Sequence, residues 1–441
     1  MERIPLLFRT AMYALRGGFL IRPFVIALLL GTAGAVLSSL EEAVPAIGLW
    51  IPETLFPSRE DPQVAQVILG SIATSIMTVV SIVFAILLMT LTLASTQFSP
   101  RILINFVRDR TTQWTLGIFL GTFSFCIASL PAARLLPHRF VPVVTTSAAM
   151  VLALVCVGWL IFFIHHISQA ISVNHIVDRI ARETELVIDD FMPAARTPFP
   201  PWEASENDNG AYEVAVMSRR SGYIRYIDVG RLLYLARTYR IRVRVERRVG
   251  HFVPAEVPLL RVSRGERVTD ERSARLLATI DIGPTRTMQQ DVEFGVIQIV
   301  DIALRAISPA VNDPSTAISC IDQLSRILIK WISRAPPPSQ FFGPPHVLRL
   351  VIPWIGLNGL FDTAFEQIRH YSAADIAVSL RLLRAFNDIA GATQSAEVRR
   401  SLVDRARRVV VGCAARLPDD VLDGLRQRLA ILEISAATDV T

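Results

Sequence analysis

Hydrophobic positions run almost unbroken for long stretches through the first 170 residues, and in short periodic patterns after that. The longest stretch, Gln63 to Gln97, contains no Asp, Glu, Lys or Arg. Unpaired backbone groups are costly in hydrocarbon and a helix pairs them all, so this stretch predicts a membrane-spanning helix. At about 1.5 Å per residue it is roughly 50 Å long against a hydrocarbon core of about 30 Å, so it tilts or projects beyond the bilayer. Three further runs are long enough to span: Phe19–Leu40, a third around Trp114–Leu136 and a fourth around Phe140–His166.

Charge orients these spans. Arg3, Arg9, Arg16 and Arg22 precede or open the first run, which is too long for a cleaved signal peptide. The loop after it carries Glu41, Glu42, Glu53, Glu60 and Asp61 against Arg59 alone and reads as external. The loop after the second span carries Arg101, Arg108 and Arg110 and reads as internal. Arg134 and Arg139 in the next external turn are the one departure. Four spans with both termini cytoplasmic satisfy the pattern.

Beyond the fourth span, Val173, Ile176, Ile180, Thr184, Val187 and Phe191 recur at three- and four-residue steps and form a nearly apolar seam. The helix runs on from the span without Pro or Gly, and its seam pairs with a second subunit or lies on its own domain; a helix leaving a membrane favours the second subunit. A Pro-rich, acidic linker follows. EVAVMSRRSGYIRYIDV, IRVRVERRVGHFVP and VPLLRVSR then alternate as strands around a short helix, DVGRLLYLARTYR. From Thr287 the chain turns helical, with a capping box at Thr287 and Gln290, a break at Ser308-Pro309, and a restart with Asp313 as N-cap and Pro314 at the first helical position. After APPPSQFFGPP come a strand, VLRLVIP, and three helices to about Glu433.

Composition narrows the chemistry. With 441 residues, 51% apolar content and mean hydropathy +0.42, a membrane module plus a soluble part fits. The charge of +6 is spread along the chain and around the spans, which points to anionic lipid and not to nucleic acid. Cys126, Cys156, Cys320 and Cys413 show no close pairing and predict no disulfide framework. Lys330 is the only lysine, so no GK[ST] phosphate loop exists.

The candidate residues fall in three groups. Ser71, Thr74, Ser75, Thr78 and Ser81 share one face of the second span, and serve either close helix packing or the wall of a pore in an oligomer. Gln97, Ser99 and Arg101 sit at the cytoplasmic edge, where a helix end and arginines suit an anion or lipid head group. Asp291, Asp301, Asn312 and Asp313 form a candidate polar cluster. His165, His166 and His175 share no helical face and lack ligand partners at metal spacing, so neither a metal nor a cofactor is expected.

Two resemblances add to this reading. Gly222-Tyr-Ile, the helix near Leu232–Arg237, Val249-Gly250-His251-Phe252-Val253 and Pro258-Leu259 resemble the half-motif of small biotinyl/lipoyl-like β-barrels, although a carrier domain would present a lysine that is missing here. ASTQFSPRILINFVRDRTTQWTLGIFLGTF, FIHHISQAISV, SGYIRYIDVGRLLYLA and DVEFGVIQIVDIALRAISPAVNDPSTAISCID resemble, in this order and over nearly the whole length, the bacterial membrane family of domain of unknown function 2254. That resemblance implies a multi-pass inner (plasma) membrane protein with a large cytoplasmic region, and brings no catalytic residues.

The expected fold is therefore an all-α membrane module of four transmembrane helices (1–166), a cytoplasmic coupling helix (167–192) and a linker (193–210). A small β-rich, barrel-like module (211–268) and a mainly helical C-terminal domain (269–441) complete an α+β cytoplasmic region. The expected function is an oligomeric channel or permeation pathway with a regulatory region. The alternative is a non-conducting sensor or scaffold that binds a cytoplasmic ligand or protein. An enzyme ranks last, since no nucleophile–base pair is visible. The expected partners are the lipid bilayer, further copies of the chain and that cytoplasmic ligand or protein.

Overall fold

A computed structural model describes residues 21–44, 46–47, 51, 61–97, 110–134, 140–170, 172–192, 212–345 and 347–437. The chain divides into two compact units, 1–172 and 173–441.

The described residues of the first unit include four helices, each long and apolar enough to cross a membrane. They are α1 (Ile21–Ala43), α2 (Pro62–Gln97), α3 (Arg110–Ser129, extended by a 3₁₀ turn Leu130–Ala132) and α4 (Val143–Ala170). Helix α3 is the central element and packs against the other three. Its GxxxG step, Gly117 and Gly121, faces Ile26 and Leu30 of α1, and Gly34 of α1 lies on Phe125 of α3. A Cβ at Gly34 would stand 2.7 Å from the Phe125 carbonyl oxygen, so small residues set this close crossing. Across the α3–α4 contact, Trp159 Nε1 donates to Thr115 Oγ1 at 2.9 Å. Leu28, Val67, Met89, Leu154 and Ile161 face outward, as a lipid-facing surface requires.

Two acids at the end of α1 hold the ends of neighbouring elements. Glu41, 2% exposed, accepts from the backbone N–H groups of Val144 and Thr145 at 2.7 and 3.0 Å, and so satisfies donors that the start of α4 leaves open. Glu42 pairs with Arg134. Arg134, one of the two arginines that depart from the positive-inside pattern, is therefore neutralised within its own unit, and Arg139 lies outside the described residues.

The second unit opens with α5 (Val173–Phe191). Helix α4 ends at Ala170 and Ser172 belongs to neither helix, so the two do not form one unbroken rod. Among the described residues eight short strands follow, interleaved with helices: β1 (Val214–Met217), β2 (Gly222–Ile227), α6 (Val229–Thr238), β3 (Val243–Val245), β4 (Phe252–Val253), β5 (Pro258–Val262), α7 (Asp270–Leu277) and β6 (Ile280–Gly283). Then come α8 (Val292–Ala306), α9 (Pro314–Ile332), β7 (Gln340–Gly343) and β8 (Val347–Val351). The unit ends with α10 (Leu357–Phe361), a π turn (Asp362–Glu366), α11 (Gln367–Tyr371), α12 (Ile376–Gly391), α13 (Ala396–Ala414) and α14 (Asp419–Ala437).

The expected barrel does not form. The strands make an open five-stranded sheet, β1-β5-β3-β8-β7, and a separate three-stranded sheet, β4-β2-β6. The reason lies in β3, which pairs antiparallel with β5 on one side and parallel with β8 on the other. Its second edge is taken by a strand about a hundred residues downstream in sequence, so β2 and β4 pair elsewhere. Ile224, Ile227, Leu232, Ile241, Val243, Leu260 and Leu350 are buried in one core with both sheets and α6.

Two helix details differ from expectation. Helix α8 starts at Val292 with Asp291 as its N-cap, accepting from Phe294 N–H at 3.0 Å, so the capping box at Thr287 and Gln290 does not form. Gln290 instead accepts from Ile227 N–H at 2.9 Å, because the end of β2 leaves that donor open. Asp313 does cap α9, with Pro314 first in the helix. The α5 seam is covered within the unit: Ile176, Ile180, Thr184 and Ile188 are buried, and the helix packs on α8 and α9. Its polar edge is tied to α9 by Arg326 to Glu185 (2.8 Å) and Asp178 (2.9 Å), and by Lys330 to Asp189 (2.9 Å). A second subunit is not needed to cover this face.

Candidate functional site

The strongest concentration of buried charge surrounds the start of α8. Arg286 donates from Nε and Nη2 to the two oxygens of Asp291 at 2.8 and 2.9 Å, a two-point guanidinium–carboxylate contact. Its Nη2 also reaches Glu293 at 3.0 Å, and Arg248 Nη2 reaches the other Glu293 oxygen at 3.0 Å. These side chains are enclosed: Asp291 is 3%, Glu293 10% and Arg286 15% exposed. Two arginines meet two carboxylates, so the network is neutral overall.

Its assembly depends on the β3–β4 loop. Gly250 has φ +88 and donates its N–H to Ile224 O at 2.8 Å. A Cβ there would stand 2.4 Å from Asp291 Oδ2 and 2.5 Å from Arg286 Nη2, so a side chain would collide with the network as well as strain the turn. Burial would raise the Glu293 pKa, but Arg248 and Arg286 outweigh it and hold the carboxyl below its ordinary range. Burial opposes the Arg286 charge, yet Asp291 and Glu293 raise its pKa further. In the same loop, burial first and Arg248 second push His251 below the ordinary imidazole range.

Beside the network lies a small cleft of about 20 Å³, open to solvent. Arg248, Gln290, Asp291 and Glu293 line its polar side, and Phe191, Trp331, Trp354 and Ile355 its apolar side. Phe191, the last residue of α5, meets Trp354 edge to face at 4.4 Å. One wall of the cleft is thus the far end of the helix that follows the fourth span in sequence. Polar groups converge there beside aromatic walls, which is the lining chemistry, not the size, of a small-molecule site.

The sequence candidates land differently. Ser71, Thr74, Ser75, Thr78 and Ser81 all point out of the four-helix unit, while Leu69, Ala73, Ile76 and Val83 face inward. Thr74, Thr78 and Ser81 donate to backbone carbonyls one turn back. Small-residue packing within the unit uses Gly34, Gly117 and Gly121 instead. Gln97 is the last residue of α2, and Ser99 and Arg101 lie outside the described residues. Asp291 precedes α8, while Asn312 and Asp313 follow its other end, so a helix of about 20 Å separates them. Asp301 lies between, on α8 itself. Among the described residues no three His, Cys, Asp or Glu side chains gather at metal-binding spacing.

Sequence reasoning reached Asp291 and missed its partners. Arg286 and Glu293 were within local reach of it, at five and two residues. Arg248, Trp331 and Trp354 arrive from separate elements and leave no local signal.

The comparisons agree with the architecture. Residues 16–388 match the family model described as predicted membrane protein (DUF2254). An uncharacterized protein of Mycobacterium bovis and one of Mycobacterium tuberculosis strain H37Rv are each 31% identical over 414 residues, covering 90% of this chain and 74% of the relative. No solved structure matches. On the family match and these relatives, the chain belongs to the predicted membrane protein family of domain of unknown function 2254.

Proposed function

We propose that this protein is a membrane-anchored sensor: its second unit is cytoplasmic and takes a small amphipathic ligand in the cleft, and α5 relays occupancy towards the spans. The observation that carries this reading is the placement of Phe191, at the end of α5, in the cleft wall beside the Arg248–Glu293–Arg286–Asp291 network. A ligand with an apolar body would contact Phe191, Trp331 and Trp354 and direct its polar end to Arg248 and Gln290. Such a ligand stabilises the folded state by mass action. The test is a thermal-shift screen of cytoplasmic metabolites on the full chain in nanodiscs, repeated on Trp354→Ala. A compound that raises the melting temperature of the wild type and not of the variant supports the sensor; equal shifts in both, or none in the wild type, count against it.

A second reading is supported by the outward hydroxyl face of α2, which is available to line a pore between copies of the chain. Particle mass in nanodiscs followed by ion flux in liposomes decides it. A ring-forming oligomer whose flux is blocked by Thr78→Leu makes the protein a channel with the second unit as its gate. A monomer or dimer without flux removes that reading.

A further inference from the structure

One end of the five-stranded sheet gathers arginines. Val243 of β3 stands opposite Leu350 of β8 in parallel register, so one step back along both strands brings Arg242 beside Arg349. Val243 and Leu350 are fully buried, and strand alternation turns Arg242 and Arg349 to the outer face. On the other side of β3, Arg242 N–H donates to Ser263 Oγ at 2.9 Å and Arg264 follows directly. Arg237, in the last turn of α6, donates to Phe342 O at 2.8 Å. The point where a Gly343 Cβ would stand is 3.1 Å from Arg237 Nε and 3.2 Å from Arg349 Cγ, so the two side chains flank a notch that glycine leaves open.

Among the described residues no carboxylate pairs with Arg237, Arg240, Arg264 or Arg349, whereas Glu213 is held by the Gly265 N–H (3.1 Å) and Glu266 by Arg267 (3.7 Å). Burial first, then Arg264, Arg242, Arg240 and Arg237, lower the Arg349 pKa. Arg240 and Arg264 also hold left-handed backbones, φ 54 and 58, which L-residues adopt only at a cost.

We propose that Arg237, Arg240, Arg242, Arg264 and Arg349 form a binding site for a small ligand that carries two or more phosphate groups. Guanidinium forks match phosphate oxygens at two points each. A single phosphate group carries about two negative charges at most, which leaves Arg237, Arg240, Arg264 and Arg349 unbalanced as a group, whereas linked phosphates match them. The cluster is confined to one sheet end around one notch, which suits a compact ligand better than an extended polyanion or a flat lipid surface. The site shares no residue with the cleft, so either proposal stands or falls alone.

The test uses the full chain in nanodiscs of zwitterionic lipid, titrated calorimetrically with sodium tripolyphosphate at about 0.1 M salt, where diffuse surface attraction is screened. Saturable binding is expected, weakened about tenfold or more by Arg349→Gln and by the exposed Arg240→Gln. Arg407→Gln, on the surface of α13, is expected to bind like the wild type. If Arg349→Gln does not fold, Arg240→Gln decides alone. The proposal is overturned if tripolyphosphate does not saturate, if Arg407→Gln weakens binding as much as the cluster variants, or if only anionic vesicles or a single-stranded oligonucleotide bind.

Discussion

Asp291 serves twice: its carboxylate caps α8 and pairs with Arg286. Asp291→Ala leaves a mostly buried guanidinium half-paired and an open N–H at the helix start. Removing one partner of a buried pair costs about 3–5 kcal/mol, and losing the cap adds about 1 kcal/mol. The loss is expected to be local first, so hydrogen exchange at the Phe294 amide should accelerate at temperatures where α9 stays protected; unchanged exchange there would contradict the role. Glu293 gives a separate expectation in pH. Its folded pKa lies below the ordinary 4.5, so the stability it contributes is present above about pH 4.5 and is lost as pH falls through the folded value. The melting temperature of the full chain should therefore drop on acidification less steeply in Glu293→Gln than in the wild type, the variant starting lower. Parallel curves would show that Glu293 is not among the groups responsible.

Among the elements, those fixed by local physics were legible and those fixed by distant partners were not. Helix α2 could be read from its uncharged stretch, since nothing else satisfies so many backbone groups in hydrocarbon. Asp313-Pro314 likewise announced α9. The open sheet could not be read, because β3 has an ordinary alternating pattern and its parallel partner β8 lies beyond two helices. The same holds for the cleft, whose lining comes from α5, the β3–β4 loop, the start of α8, the end of α9 and the segment before α10. The hydroxyl residues from Ser71 to Ser81 of α2 are many and face outward, whereas the fewer glycines Gly34, Gly117 and Gly121 of α1 and α3 meet another helix. A matched pair of substitutions tests this. Gly34→Ala places a Cβ 2.7 Å from the Phe125 carbonyl oxygen, and should destabilise the first unit by about 1–3 kcal/mol as the crossing opens. Gly158→Ala on α4 meets nothing within 4 Å and should be neutral or stabilising by up to about 1 kcal/mol. Thermal unfolding in detergent, followed through Trp159 near the α3–α4 contact, separates the two; equal effects would remove the close-packing account of α1 and α3.

For the molecule as a whole, sidedness decides what either proposed site can meet. Only Ile171 and Ser172 separate α4 from α5, so the side on which the fourth span ends is the side on which the second unit begins. The proposed topology, read from the charge around the spans, puts that side in the cytoplasm, and Arg134, which argues the other way, is paired with Glu42. Cysteine labelling can test the assignment against a low background, because Cys126, Cys156, Cys320 and Cys413 are all buried. Val44, just after α1, is 47% exposed, and Val411 on α13 is 70% exposed. With a membrane-impermeant maleimide on intact cells stripped of their outer layers, Val44→Cys should label at once and Val411→Cys only after the membrane is permeabilised. The reverse pattern would put the cleft and the arginine cluster outside. A cytoplasmic ligand could then reach neither, and the sensor reading would fail on topology whatever the cleft binds, while the outward hydroxyl face of α2 would keep its place within the bilayer under either orientation.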